Sequence, residues 1–248
     1  MIGPALAGGI YGAAGSATIF AVDALSFVVS AALLLRARPR AFAPAPSGGL
    51  WAELGGGFRY VSSVPWLWLT IGMFSLVVMV GYAAFQVLLP KLVEEQWNGG
   101  VASYGLVFTL QGLGMVLGTA VLGQVPPTRR RGPLIYALFV VNSAATVFFA
   151  VSPWFAVAAG LSVLRGACLG YGITLWDTML MQRVPERMLA RVISMDWFGS
   201  LGLLPAGLGL WAALSGLASP STLIAASSGF CAVAFLVAAI TPHVRSVD

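Results

Sequence analysis

Residues 101 to 123 read VASYGLVFTLQGLGMVLGTAVLG, twenty-three positions without one charged side chain. A helix rises about 1.5 Å per residue, so this stretch reaches across a hydrocarbon core of roughly 30 Å. Stretches 66 to 90, 192 to 214 and 221 to 241 share its character, with Asp196 the one ionisable side chain among them. Lipid offers the backbone no hydrogen-bond partner, so a spanning segment must be a helix or part of a closed barrel. Nothing here alternates with the period of two that a barrel demands. The chain therefore reads as an all-α, polytopic transmembrane helical bundle.

Composition supports this and narrows function. Hydrophobic residues make up 59% of the chain and charged ones 8%, with a mean hydropathy of +0.92. Soluble domains carry roughly 25% charged residues. The net charge of +5 would suggest nucleic acid in a soluble protein. Here the basic residues fall in short loops between spans, where they act as orientation signals, and nucleic acid is discounted as a partner. Cys168 and Cys231 both sit inside apolar runs and read as small hydrophobic side chains.

The expected spans are 2 to 14, which is too short to cross, then 18 to 35, 66 to 90, 101 to 123, 134 to 152, 154 to 181, 192 to 214 and 221 to 241. The short first stretch holds Gly3, Gly8, Gly9, Gly12 and Gly15, and its abrupt start at Met1 reads as the second half of a helix whose first half is absent. Arg36, Arg38, Arg40 and Arg59, then Arg129, Arg130 and Arg131, then Arg183, Arg187 and Arg191, and finally Arg245, all fall on one side of the alternating spans. The other side holds Lys91 beside Glu94 and Glu95. The positive-inside rule makes the arginine loops and the C-terminus cytoplasmic, with loop 91 to 100, the Ser152-Pro153 turn and loop 215 to 220 external. Trp66, Trp68, Trp97 and Trp154 sit at span boundaries, the level that amphipathic rings prefer.

One connection is long. Residues 36 to 64 open with Arg-Ala-Arg-Pro-Arg and an Ala/Pro-rich stretch, then place Leu50, Trp51, Leu54, Phe58 and Val61 at helical spacing. This predicts a linker followed by an amphipathic helix on the inner surface. The expected organisation is 1 to 35 as the end of one bundle, 36 to 64 as linker, 65 to 242 as a six-helix bundle and 243 to 248 as a tail.

Ionisable groups inside spans are costly in lipid and so mark candidate functional positions. Asp23, Arg165, Asp177 and Asp196 qualify. Arg165 and Asp177 are twelve residues apart and fall on different faces of their helix, so Arg165 needs a partner on another helix, a backbone carbonyl or a water-filled cavity. It reads equally as a pathway residue and as a hydrogen-bonding post between helices. Asp196 reads as structural, within reach of basic loop residues such as Arg191. Asp177 could reach Arg183, and Asp23 reads as a group open to an external proton. Gln86, Gln111 and Asn142 add neutral polar positions, and Phe74, Val78, Tyr82 and Gln86 form one stripe at four-residue intervals. Such a stripe lines a cavity for an amphiphilic molecule or packs as ordinary core. Gly114 with Gly118, and Gly166 with Gly170, have the spacing of close helix packing. The single histidine, His243, leaves no metal cluster and no His-based triad, and there is no phosphate-cradling Gly-x-x-x-x-Gly-Lys loop. Neither an enzyme nor a cofactor is expected.

Four stretches carry a resemblance. Gly3-Pro4-Ala5-Leu6-Ala7-Gly8-Gly9 resembles the ending of the antiporter motif on a fifth helix, and Asp23-Ala24-Leu25-Ser26-Phe27 resembles a sixth-helix signature. Pro185-Glu186-Arg187-Met188-Leu189-Ala190-Arg191-Val192 resembles the loop between tenth and eleventh helices, with Ala190 where Gly is usual. Gly123 through Arg131 is similar to the second copy of a cytoplasmic gating loop, without its acidic residue. Together with Leu89-Pro90 these resemble the major facilitator superfamily, in its drug-efflux and siderophore-exporter branch. That resemblance implies a bacterial plasma-membrane protein of two six-helix bundles that exports small molecules against a flow of protons. It also implies that this chain corresponds to the fifth through twelfth helices and that an N-terminal half is a missing partner. The pathway candidates are then Arg165, Asp23, Asp177, Gln86, Gln111, Asn142 and Tyr82, and the gating-loop candidates Arg129, Arg130, Arg131, Arg187 and Arg191. The alternative is a membrane protein that docks onto a partner through its Gly-rich faces without transporting, or the inactive product of a decayed transporter gene.

Overall fold

The structure, a computed structural model, describes residues 3–36, 50–127 and 130–241. The linker positions 37–49, Arg129 and the tail 242–248, with His243 and Arg245, lie outside the described residues. Among the described residues there are ten α-helices and one π-turn: α1 Gly3–Arg36, α2 Leu50–Ser63, α3 Pro65–Val77, the π-turn Val78–Tyr82, α4 Ala83–Trp97, α5 Val101–Gln124, α6 Arg131–Val151, α7 Phe155–Arg183, α8 Glu186–Gly202, α9 Leu204–Leu214 and α10 Pro220–Ala239.

Six helical stretches are long and apolar enough to cross a membrane: Pro65–Trp97, Val101–Gln124, Arg131–Val151, Phe155–Arg183, Glu186–Leu214 and Pro220–Ala239. These match the last six expected spans. The expected pair 2 to 14 and 18 to 35 forms the two arms of α1, joined at Gly15. Gly15 has φ 74° and ψ 175°, a conformation closed to residues with a Cβ, so the helix breaks there.

Two boundaries differ from expectation. The first crossing helix does not end at Pro90 but runs through it to Trp97. Proline removes only its own N–H, and the helix stops instead at Asn98 (φ 49°), whose left-handed conformation suits a helix C-terminus. The expected ten-residue external loop thus shrinks to Asn98–Gly100. The second difference is at 192 to 214, where the helix begins at Glu186 and breaks at Leu203. Pro205 cannot donate to Leu201, which removes a rung of the ladder at that point.

The closest packing is between α5 and α7. Both small-residue pairs meet there: a Cβ on Gly114 would strike the Val163 carbonyl, one on Gly118 the Ala167 carbonyl, one on Gly166 the Gln111 carbonyl and one on Gly170 the Met115 carbonyl. Only hydrogen at these four positions lets the backbones approach so far.

Apolar side chains gather in two clusters, one at each end of the bundle. The first, at the end carrying Arg131, Arg183 and Arg187, contains Leu67, Ile71, Ile135, Phe139, Trp176 and Phe235. Its rings interlock, with Phe74 4.7 Å from Phe139 and Trp66 5.8 Å from Trp176, centroid to centroid. The second, at the far end, contains Phe85, Leu88, Val107, Phe149, Trp211 and Ile224. The far end is tied by Gln96 and Trp97, which both donate to the Ser152 carbonyl (2.5 and 3.0 Å), and by Ser221 donating to the Ala150 carbonyl (2.6 Å). The amphipathic helix expected after the linker forms as α2. It lies against α8, with Gly57 facing Arg191 and Met195, and buries Val61 while Phe58 stays exposed.

Candidate functional site

Arg165 sits near the middle of α7 and is 5% exposed. It finds its partners on other helices. Its Nε donates to Thr146 Oγ1 of α6 at 2.8 Å, and the guanidinium carbon lies 3.9 Å from the Phe85 ring centroid of α4 and 5.2 Å from that of Phe149 of α6. Aromatic faces carry partial negative charge and stabilise a desolvated cation by about 2 kcal/mol or more. Thr146 in turn donates to the Asn142 carbonyl at 2.8 Å, so its hydroxyl gives one hydrogen bond and receives one.

Asn142, Thr146 and Phe149 recur at helical spacing along one face of α6, which is how one helix supplies both a polar and an aromatic wall. Gln111 of α5 lies close by through its backbone, which packs on Gly166. Three buried polar atoms in this region have no hydrogen-bond partner among the described residues: Arg165 Nη1, Gln111 Oε1 and Asn142 Oδ1. Buried polar groups are nearly always paired, so three such atoms on neighbouring helices mark a place where polar chemistry is retained for another purpose.

The remaining candidates fall elsewhere. Gln86 donates to the Tyr82 hydroxyl at 3.0 Å, and Tyr82 is 44% exposed. The expected single stripe of Phe74, Val78, Tyr82 and Gln86 does not form. The π-turn at Val78–Tyr82 winds with a wider pitch, so Phe74 turns into the aromatic cluster while Tyr82 turns outward. Asp177 is exposed and lines a cleft of about 170 Å³ with Leu180, Met181, Ile193 and Trp197. Asp196 accepts from the Trp176 indole at 3.1 Å, a structural bond to α7 made by a different residue from the Arg191 that its sequence position suggested. Asp23 lies exposed on the second arm of α1.

Of the gating-loop arginines, Arg131 caps the approach to α6, donating from Nε to the Pro127 carbonyl (2.9 Å) and from Nη1 to Gln182 Oε1 (2.5 Å). It thereby joins the loop to the end of α7. Arg130 adopts a left-handed conformation, φ 56°. Arg187 is exposed at the start of α8 and Arg191 packs against Gly57 of α2. The candidates thus occupy three separate places rather than one pocket.

Sequence reasoning missed Thr146, Phe85 and Phe149. Thr146 was in reach, four residues after Asn142 on the same face; the two phenylalanines carry no local signal that separates them from other apolar positions.

Comparison with known proteins adds independent information. The model of a family described as transmembrane secretion effector matches residues 1–248. Enterobactin exporters from Salmonella choleraesuis (strain SC-B67) and Salmonella typhi are each 26% identical over 192 residues, which is 77% of this chain and 46% of the relative. The chain therefore spans about half the length of the curated relatives it matches. No solved structure shows a significant match.

Proposed function

We propose, from the fact that this chain belongs to the transmembrane secretion effector family of the major facilitator superfamily, that it forms the C-terminal part of a proton-coupled exporter of hydrophobic or amphiphilic small molecules. The observation that carries this reading is the family match along the whole chain, joined to six helices of spanning length. Membership of this family groups the chain with transporters, not enzymes. The enterobactin exporters among its relatives favour a siderophore or drug-like cargo.

In this reading the cavity forms between two bundles: the residues before the linker at 36 to 64 belong to the first, and residues 65 to 242 make the second. An N-terminal half supplies the opposite wall. Tyr82 and Gln86 meet the cargo at an exposed face, while Gln111, Asn142 and Arg165 become available to it when the bundle opens. Asp23 and Asp177 are the groups proposed to exchange protons, being acidic, exposed and inside helices. Arg129, Arg130, Arg131, Arg187 and Arg191 act at the cytoplasmic gate. The docking alternative loses support because Gly114, Gly118, Gly166 and Gly170, the surfaces it would use, are consumed between α5 and α7.

Expression of the chain with its N-terminal half should lower cellular accumulation of an amphiphilic dye, and collapse of the proton gradient should restore it. Unchanged accumulation with both halves inserted in the membrane would overturn the reading. The orientation has its own test. A cysteine replacing Leu217, which is exposed in the 215 to 220 loop, should react with an impermeant maleimide in intact cells. One replacing Arg187 should react only after permeabilisation, because positive loops stay inside. Cys168 and Cys231 are buried and should stay silent in both.

A further inference from the structure

Two crossing helices are broken, and their breaks lie side by side. In Pro65–Trp97 the break is the π-turn Val78–Tyr82, where the Ala83 N–H reaches back five residues to the Val78 carbonyl. A regular turn would have sent that N–H to Met79. The Met79 carbonyl instead accepts from the Trp211 indole of α9 at 3.2 Å. In Glu186–Leu214 the break is at Leu203, between α8 and α9. The two helices run parallel in matching register. Gly199 of α8 packs against Ile71 and its carbonyl accepts from Ser75 of α3, while Gly207 of α9 packs against Met79 and Ala83. Leu203 therefore lies level with the start of the π-turn.

The core divides at the same level. Leu67 and Ile71 of α3 and Val192 of α8 belong to the cluster at the arginine-bearing end, whereas Ala83 to Val93 of α4 and Trp211 of α9 belong to the far cluster. A helix interrupted where its side chains change from one packed cluster to the next can bend without breaking up either cluster, which is the property of a hinge.

We propose that the π-turn and the Leu203 break form one composite hinge, about which α3 and α8 swing as a pair against α4 and α9. The Ser75 to Gly199 hydrogen bond couples the moving arms, and α2 travels with them through its contact with Arg191 and Met195. The Trp211 to Met79 bond holds the pivot. The swing opens and closes the arginine-bearing end while the far end, tied through Ser152 and Ala150, keeps its packing. This inference rests on no assumption about cargo or coupling ion.

Pulsed electron paramagnetic resonance on the whole chain in lipid nanodiscs tests it. Spin labels replace Trp68 on α3, Trp197 on α8 and Ala137 on α6, all exposed. The 68–197 distance distribution should be narrow, and the 68–137 and 197–137 distributions at least about twice as wide, as expected for arms that move together. Deletion of Val80 removes the extra residue that a π-turn accommodates and should narrow both wide distributions. Trp211→Phe keeps the π-turn, frees the pivot and should widen them further, which provides a readout should the deletion fail to insert. A narrow 68–137 distribution in the unaltered chain, or a 68–197 distribution as wide as the other two, would overturn the composite hinge. So would a deletion that narrows 68–137 alone, or a Trp211→Phe variant with unaltered distributions.

Discussion

Arg165→Met is expected to leave the bundle folded and to lower export at least about tenfold when the chain works with its N-terminal half. The guanidinium lies between the Phe85 and Phe149 rings with one hydrogen bond, to Thr146, and with Nη1 unpartnered among the described residues. Methionine fills much of the same volume and its sulfur packs well on aromatic rings. It also removes a buried charge, and replacing buried charges by well-packed apolar groups is often neutral or stabilising. Thermal unfolding of the purified variant should therefore stay within about 1 kcal/mol of the parent. Arg165→Ala should behave differently, leaving a void between the rings at a cost of about 2 to 4 kcal/mol, so it tests packing rather than charge. The diagnostic result is loss of export in a methionine variant with parental stability. Export at parental levels would reduce Arg165 to a structural post, and a methionine variant as unstable as the alanine one would show that the charge itself holds the bundle together.

Gly166→Val is expected to give the largest loss of stability, about 3 kcal/mol, at the upper end for forced overpacking. Its Cβ would run into the carbonyl oxygen of Gln111. A backbone carbonyl cannot rotate away as a side chain can, so α5 and α7 must separate along the seam. Gly114, Gly118 and Gly170 lie in the same seam, and loosening one contact weakens all four. Gly160→Ala, on α7 but with nothing within 4 Å of the added carbon, is the control. It should leave stability unchanged or raise it by up to about 1 kcal/mol through helix propensity. Unfolding in detergent, followed by loss of the monodisperse species on heating, separates the two. Equal stability of both variants would mean that the seam yields at little cost.

Much of the architecture was legible before any coordinates. Runs such as 101 to 123 declare themselves because membrane insertion depends on a sum over twenty or so neighbours, and a sum survives ignorance of what each residue touches. The small-residue pairs were legible for a related reason: Gly114 and Gly118 share a face by periodicity alone. The candidate site was legible in its polar members and not in its aromatic ones. A charge in an apolar run is conspicuous, whereas Phe85 and Phe149 are two among fourteen phenylalanines and gain their meaning only from standing on either side of Arg165.

By itself, then, the sequence determined that this chain resides in a membrane as a set of crossing helices, and that Arg165 needs a partner beyond its own helix. Tertiary structure alone decided which helix meets which glycine, that Thr146 and two rings receive the arginine, and that the π-turn lies level with the Leu203 break. The physical reason is range. Hydropathy and periodicity act between near neighbours in the chain, while the carbonyl of Met79 acquires its role only because Trp211, 132 residues away, brings an N–H to it.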